Sequence, residues 1–199
     1  MVSGGGAVTV AALYVDPRGP YPTLAGVDCW GINRDARLYN GPYPAVLHPP
    51  CGPWASFRKY CTEDLSCALR AVEQVREFGG VLEHPRGSTL WRVAGLPAPN
   101  TDLDIHGGWS LVVEQVSWGH VARKPTILYL VGVDRELALS TMRTGGEPTH
   151  AIGRPGKAAA AAAGYTWPCL KLKATSSQQN RRTPKAFAEW LVMLARSTR

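Results

Sequence analysis

Apolar positions along this chain follow two rhythms. Continuous short runs recur at Val8 to Val15, Pro44-Ala45-Val46-Leu47-His48, Val81-Leu82, Ser110 to Val116 and Pro125 to Gly132, and they are bounded by Gly, Pro and polar clusters. Such runs read as buried strands. Between them the spacing changes. Over Asp64 to Phe78 the apolar residues Leu65, Ala68, Leu69, Val72 and Val75 recur at helical intervals, and Gly79-Gly80 can end the helix. A last helix is predicted with Thr183 as N-cap and Pro184 at its first position, its apolar face formed by Phe187, Trp190, Leu191 and Leu194. Strands separated by amphipathic helices indicate an α/β protein.

One strand ends in an unusual way. The run 44 to 48 empties into Pro49-Pro50-Cys51. Two fixed φ angles make a turn that loses little entropy on ordering, so the next side chain is held at the carboxyl edge of the sheet, where open α/β folds place reactive groups. A thiol there is placed to act as a nucleophile. The alternative is a Cys packed as a small hydrophobe. Val81-Leu82 then leads into Glu83-His84-Pro85, a second polar strand end beside a proline. The last two strands are joined by Ser117-Trp118-Gly119-His120-Val121-Ala122-Arg123-Lys124.

In this order the motifs resemble the catalytic half of the DNA cytosine-5 methyltransferases. That family carries a Pro-Pro-Cys nucleophile loop, a Glu-Asn-Val or Glu-Asn-Pro strand end, and a later Phe-Gly-x-x-Gln-x-Arg-x-Arg segment. Pro49-Pro50-Cys51 matches the first in full, and Glu83-His84-Pro85 keeps the Glu and loses the Asn. Trp118-Gly119 followed by Arg123 and Lys124 is similar to the third, although counting from Gly119 puts Ala122 at the family's Gln, Lys124 at its first Arg and Thr126 at its second. Asn180 to Glu189 is faintly similar to the family's closing segment. The resemblance implies a Rossmann-like, mostly parallel sheet with flanking helices and a shortened N-terminal cofactor half. It implies catalytic roles for Cys51, Glu83 and the cations Arg123 and Lys124, and substrate contacts from Pro49, Pro50, Trp54, His84, Pro85 and Trp118, with Trp54 or Trp118 stacking beside a flipped base.

A methyltransferase of this type needs a Gly-rich turn after its first strand for S-adenosylmethionine. Here the strand opens into Asp16-Pro17-Arg18-Gly19-Pro20-Tyr21-Pro22, and Gly4-Gly5-Gly6 lies on the wrong side of it. The cofactor therefore stays open between S-adenosylmethionine and none. Residues 1–140 are expected to form the core, 141–182 a basic, loop-rich insertion that includes an Ala-rich helix near 157–164, and 183–199 a helix packed back on the core.

Composition narrows the class. With 199 residues and 45% apolar content the chain is able to bury a substantial core. No apolar run is long enough to span a membrane, and the start lacks a signal-peptide pattern, so a cytoplasmic protein with no membrane partner is expected. Compact chains of this type are expected of a bacteriophage genome, which would make that the host cytoplasm. Five Cys without paired spacing argue against a disulfide framework and against a zinc site, so no metal is expected. Charge is unevenly placed. Residues 154–199 hold nine Lys or Arg against Glu189 alone, a net +8, whereas residues 1–153 carry a net −1. Lys171, Lys173, Arg181, Arg182 and Lys185 are thus candidate contacts to DNA phosphates, with a merely solvated tail as the alternative.

The chemistry unites these groups. A thiolate adding at C6 of a pyrimidine makes C5 an enamine carbon, and Cys is the natural attacker near neutrality. A carboxylic acid at Glu83 would hydrogen-bond the ring nitrogen; the alternative pairs it with Arg86 or Arg92. His48 or His84 would take a proton, or be a structural histidine. Three activities remain open: a DNA cytosine-5-type methyl transfer; a donor-independent transferase that replaces a leaving group on a 5-methylene pyrimidine, with a second small-molecule substrate; and a noncatalytic DNA-binding protein.

Overall fold

The computed structural model describes residues 9–55, 61, 64–152 and 173–199. Six strands form one sheet: β1 (Val10–Leu13), β2 (Val27–Trp30), β3 (Ala45–Leu47), β4 (Gly80–Pro85), β5 (Gly108–Glu114) and β6 (Pro125–Val131). Their spatial order is β2-β1-β3-β4-β6-β5. The first four are mutually parallel, and β6 runs antiparallel to both β4 and β5. The sheet is therefore mostly parallel, as expected for an α/β chain.

Alternation along β1 decides the two cores. Val10 and Ala12 face one side and Ala11 and Leu13 the other, all fully buried, which is why β1 reads as a continuous apolar run. On the side of Ala11 and Leu13 lies helix α1 (Ser66–Phe78), which buries Ala68, Ala71, Val72 and Val75. It stops at Gly79, whose φ of 73° only glycine adopts without strain. The opposite side is covered by a helix at Lys185–Arg196, which buries Phe187, Trp190, Leu191 and Leu194 with Val46, Val81 and Leu128. Its N-cap is Pro184 rather than Thr183, one residue later than the sequence pattern suggests. Gly80 permits the central pairing: a Cβ there would lie 2.0 Å from the Ala45 carbonyl oxygen.

Short helices complete the body: α2 (Leu90–Val93), α3 (Arg135–Thr141) and α4 (Ser177–Arg181), which makes the Lys185–Arg196 helix α5. The stretch 175–180 reads as a polar loop, yet Ser176 and Gln179 form a reciprocal capping box that starts α4 there. Residues 150–151 (β7) and 173–174 (β8) pair as a small parallel sheet. The Ala-rich stretch near 157–164, Cys169 and Lys171 lie outside the described residues.

The connection from β1 to β2 holds a 3-10 turn at Tyr21–Thr23 where a full βαβ unit has a helix. Both margins of the sheet are occupied. On β2, Arg34 pairs with Asp28 at 2.6 Å, donates to the Cys29 carbonyl and lies 3.9 Å over the Trp30 ring. Beside β5, Pro99 bridges Ser110.

Candidate active site

Strand order switches sides at β1: β2 is added on one side of it and β3 on the other, all three running parallel. The crevice outside the carboxyl ends of β1 and β3 is therefore the topological switch point, where open α/β sheets bind ligands. The residues that arrive there are Tyr14 and Val15 after β1, and His48, Pro49, Pro50 and Cys51 after β3. Tyr14 takes a left-handed φ of 59°, an uncommon conformation for a bulky residue, and its hydroxyl donates to Gln74 of α1 at 2.9 Å.

A chain of hydrogen bonds crosses this edge. The Tyr21 hydroxyl lies 2.5 Å from His48 Nε2, His48 Nδ1 lies 2.9 Å from Glu83 Oε2, and Gln115 Nε2 donates to Glu83 Oε1 at 3.0 Å. Gln115 Nε2 also donates to Thr126 Oγ1, which donates to the Lys124 carbonyl. The register makes this possible: Leu47 pairs with Leu82, so the next residues, His48 and Glu83, emerge side by side from parallel strands. Glu83 belongs to β4 itself and is 8% exposed.

Electrostatics fixes the proton inventory. Burial raises the Glu83 carboxyl, but the hydrogen bond and charge of His48, with Lys124 and His84 beyond, outweigh it and hold it at about 2. Glu83 is thus a carboxylate at neutral pH. A carboxylate only accepts, so His48 Nδ1 carries a proton. Burial, and next the charge of Glu83, push the Tyr21 phenol well above its usual range, leaving a neutral hydroxyl against His48 Nε2.

The Pro-Pro-Cys turn folds over this edge. Cys51 is exposed and begins a 3-10 turn at Gly52–Trp54, and Thr89 fastens the turn by donating its backbone N–H and hydroxyl to the Trp54 carbonyl. His84 sits beneath, 1% exposed. Burial lowers its imidazole to about 4 although Glu83 and the Pro50 carbonyl favour the charged form, so it is neutral at pH 7. Neither ring nitrogen of His84 meets a partner at hydrogen-bond geometry among the described residues, nor do Gln115 Oε1 and Trp54 Nε1.

Several expected roles are redistributed. Glu83 pairs with His48 and Gln115, not with Arg86 or Arg92, and an ionised carboxyl with both oxygens engaged is not the protonated acid expected to contact a ring nitrogen. Trp118 is 3% exposed and packs 4.7 Å from Trp190 and 5.1 Å from Phe187, so it is a core ring without a free face for a base. Trp54 is likewise buried. Pro49 is buried, while Pro50 and Pro85 are partly exposed at the edge. Arg123 is exposed and pairs with Glu114 at 3.5 Å, away from Glu83. Lys124 faces both ways: its charge acts on Glu83 and its Nζ donates to the Arg182 carbonyl at 3.4 Å. Around a cavity of about 290 Å³ bordered by His120 and Gln179, the exposed Arg182 and Lys185 make a cationic rim, and Arg181 is exposed beside them in sequence. Lys173 is exposed on β8.

Tyr21, Gln115 and Thr126 are the participants that sequence reasoning missed. Tyr21 had a signal of the same kind as Cys51, since it stands between Pro20 and Pro22.

S-adenosylmethionine does not fit the switch point. Tyr21, 2% exposed, packs its ring against His48 at this edge. The ends of β1 and β2 touch: Val15 N–H donates to the Trp30 carbonyl, and a Cβ on Gly31 would lie 2.5 Å from the Val15 oxygen. Asp28, the acid on β2, is spent on Trp30 Nε1 and Arg34.

These features define a mixed α/β protein with a six-stranded, mostly parallel sheet and a buried hydrogen-bonded relay at its carboxyl edge. No protein-family model, curated protein or solved structure matches the chain. Among the described residues no helix is long and apolar enough to cross a membrane, and no cluster of metal-ligating side chains occurs.

Proposed function

We propose that the chain is a DNA pyrimidine-modifying enzyme in which the Cys51 thiolate adds to C6 of the base. The observation that carries this reading is the buried Tyr21–His48–Glu83–Gln115 relay at the root of the turn that presents Cys51. A buried carboxylate paired with an imidazole is costly unless its geometry is held, and here His48 after β3 and Gln115 after β5 each engage one oxygen. Buried polar atoms without partners on His84, Gln115 and Trp54 concentrate further cost near the same edge, a pattern that accompanies function more than packing.

In this reading His48 is the proton acceptor for the thiol. Glu83 orients its ring and favours the imidazolium that forms, a positioning role. Tyr21 keeps Nε2 hydrogen-bonded in either protonation state. The rim of Arg182 and Lys185, with Arg181 and Lys173, holds the phosphates, and Lys124 links that rim to the relay.

The test is covalent capture. A DNA oligonucleotide carrying a 5-fluoropyrimidine, whose fluorine makes C6 more electrophilic, should form an adduct seen by denaturing mass spectrometry and mapped to Cys51. Cys51→Ser should abolish it while leaving the circular dichroism spectrum unchanged. Equal capture by the Ser variant would exclude Cys51 addition. Absence of any adduct beside intact, rim-dependent DNA binding would favour a noncatalytic binding protein.

A further inference from the structure

Cys addition by itself adds no group at C5. On a base with hydrogen at C5 the adduct exchanges that hydrogen with solvent and gains no carbon there unless a donor supplies one. At the carboxyl edge beside β1 and β3, where a donor would bind, the Tyr21 ring is 2% exposed and packs against His48. Tyr21 is not a movable plug: its hydroxyl is built into the relay at His48, its ring lies 5.3 Å from the imidazole, and its body belongs to the core under α5. Swinging it out would break the relay on which the nucleophile depends.

Resting on the Cys51 reading above, we infer that the substrate already carries its one-carbon unit: a pyrimidine in DNA with a leaving group on its 5-methylene carbon, processed without a methyl donor. The steps balance. Cys51 Sγ bonds to C6 as its proton passes to His48. The electron pair reaching C5 expels hydroxide from the methylene, and the proton held on His48 leaves with it as water. A second nucleophile of the amine or alcohol class, or water itself, adds to the exposed methylene and gives up a proton. The pair returning through C5 then breaks the S–C6 bond and restores the thiol. Nothing is oxidised or reduced. With an amine the net change is base-CH2-OH plus R-NH2 to base-CH2-NH-R plus water; with water it is an exchange of oxygen. The reaction class that must come earlier is one that installs a hydroxymethyl group at C5.

Water as the nucleophile gives a test that needs no knowledge of the natural co-substrate. Oligonucleotides bearing 5-hydroxymethylcytosine or 5-hydroxymethyluracil are incubated with the full chain in oxygen-18 water, and the recovered nucleosides are weighed. Label should accumulate with time in one of the two bases. It should be lost with Cys51→Ser and be unchanged by millimolar S-adenosylmethionine. Capture of a 5-fluoropyrimidine by Cys51 without oxygen exchange on either base would overturn this inference and leave the addition reading standing. Transfer of a labelled methyl group from S-adenosylmethionine to DNA would overturn it too. Failure of both capture and exchange would sink the Cys51 reading itself.

Discussion

Replacing Glu83 by Gln probes the relay at its most sensitive point. The variant keeps the shape and removes the charge. In the folded chain the carboxyl is lowered from its ordinary 4.5 to about 2. At about 1.4 kcal/mol per tenfold change in proton affinity, that difference contributes about 3 kcal/mol at neutral pH. A second route gives a figure of the same order, because a hydrogen bond to a charged group contributes ~1.5–3 kcal/mol. The amide also cannot satisfy both neighbours as they stand: Gln115 Nε2 and His48 Nδ1 both donate, and one of them would face a donating NH2. Since the folded-state value lies below the unfolded one, the contribution is complete above pH 4.5 and is lost as pH falls toward 2. Urea unfolding followed by tryptophan fluorescence should therefore show the variant less stable by about 3 kcal/mol at pH 7, and by about half of that at pH 3. A gap that stays constant from pH 7 to pH 3, or one below about 0.5 kcal/mol at pH 7, would refute the assignment of Glu83 as a paired carboxylate.

Other substitutions separate the remaining parts. Tyr21→Phe leaves His48 Nε2 buried without its partner and should cost about 1–2 kcal/mol in the same unfolding assay while slowing adduct formation at Cys51; unchanged values in both would remove Tyr21 from the relay. Gly80→Ala drives a methyl into the Ala45 backbone at a left-handed φ, so it should cost more than about 3 kcal/mol or prevent soluble expression, and a variant as stable as the parent would contradict the β3–β4 register. Neutralising Arg182 and Lys185 together should lower the slope of log K against log salt for DNA binding by about two, without altering sequence preference; an unchanged slope would make the rim a solvated surface.

Much of the architecture was legible because its strands are buried on both faces. Continuous runs such as 125–132 permit little else, and the helix at 64–78 differs from the observed α1 by two residues at its start. β2 was not legible. Val27-Asp28-Cys29-Trp30 has four partly exposed residues, two of them polar or sulfur-bearing, and it is a strand because β1 offers it a parallel edge. The site divided in the same way. Pro49-Pro50-Cys51, Glu83 and His48 stood out by their place at strand ends, which local sequence encodes. Gln115 and Thr126 did not, because their roles come from β6 running back between β4 and β5, which brings Gln115 from the end of β5 to the carboxylate and Thr126 to Gln115. Trp118 was misplaced for a related reason. An aromatic beside a Gly reads as a surface ring until α5 is seen to cover it.

The margins of the sheet bear on how the protein behaves in a crowd. An open edge strand offers unpaired N–H and C=O groups to any neighbouring chain, a hazard that grows with local concentration. On β2 the guanidinium of Arg34 occupies the Cys29 carbonyl and lays positive charge across the rim. On β5 the neighbour at Ser110 is Pro99, which has no N–H with which to extend a ladder. Each copy thus meets the next with a charge or a proline where a strand would otherwise add, and the sheet is protected from growing into its neighbours.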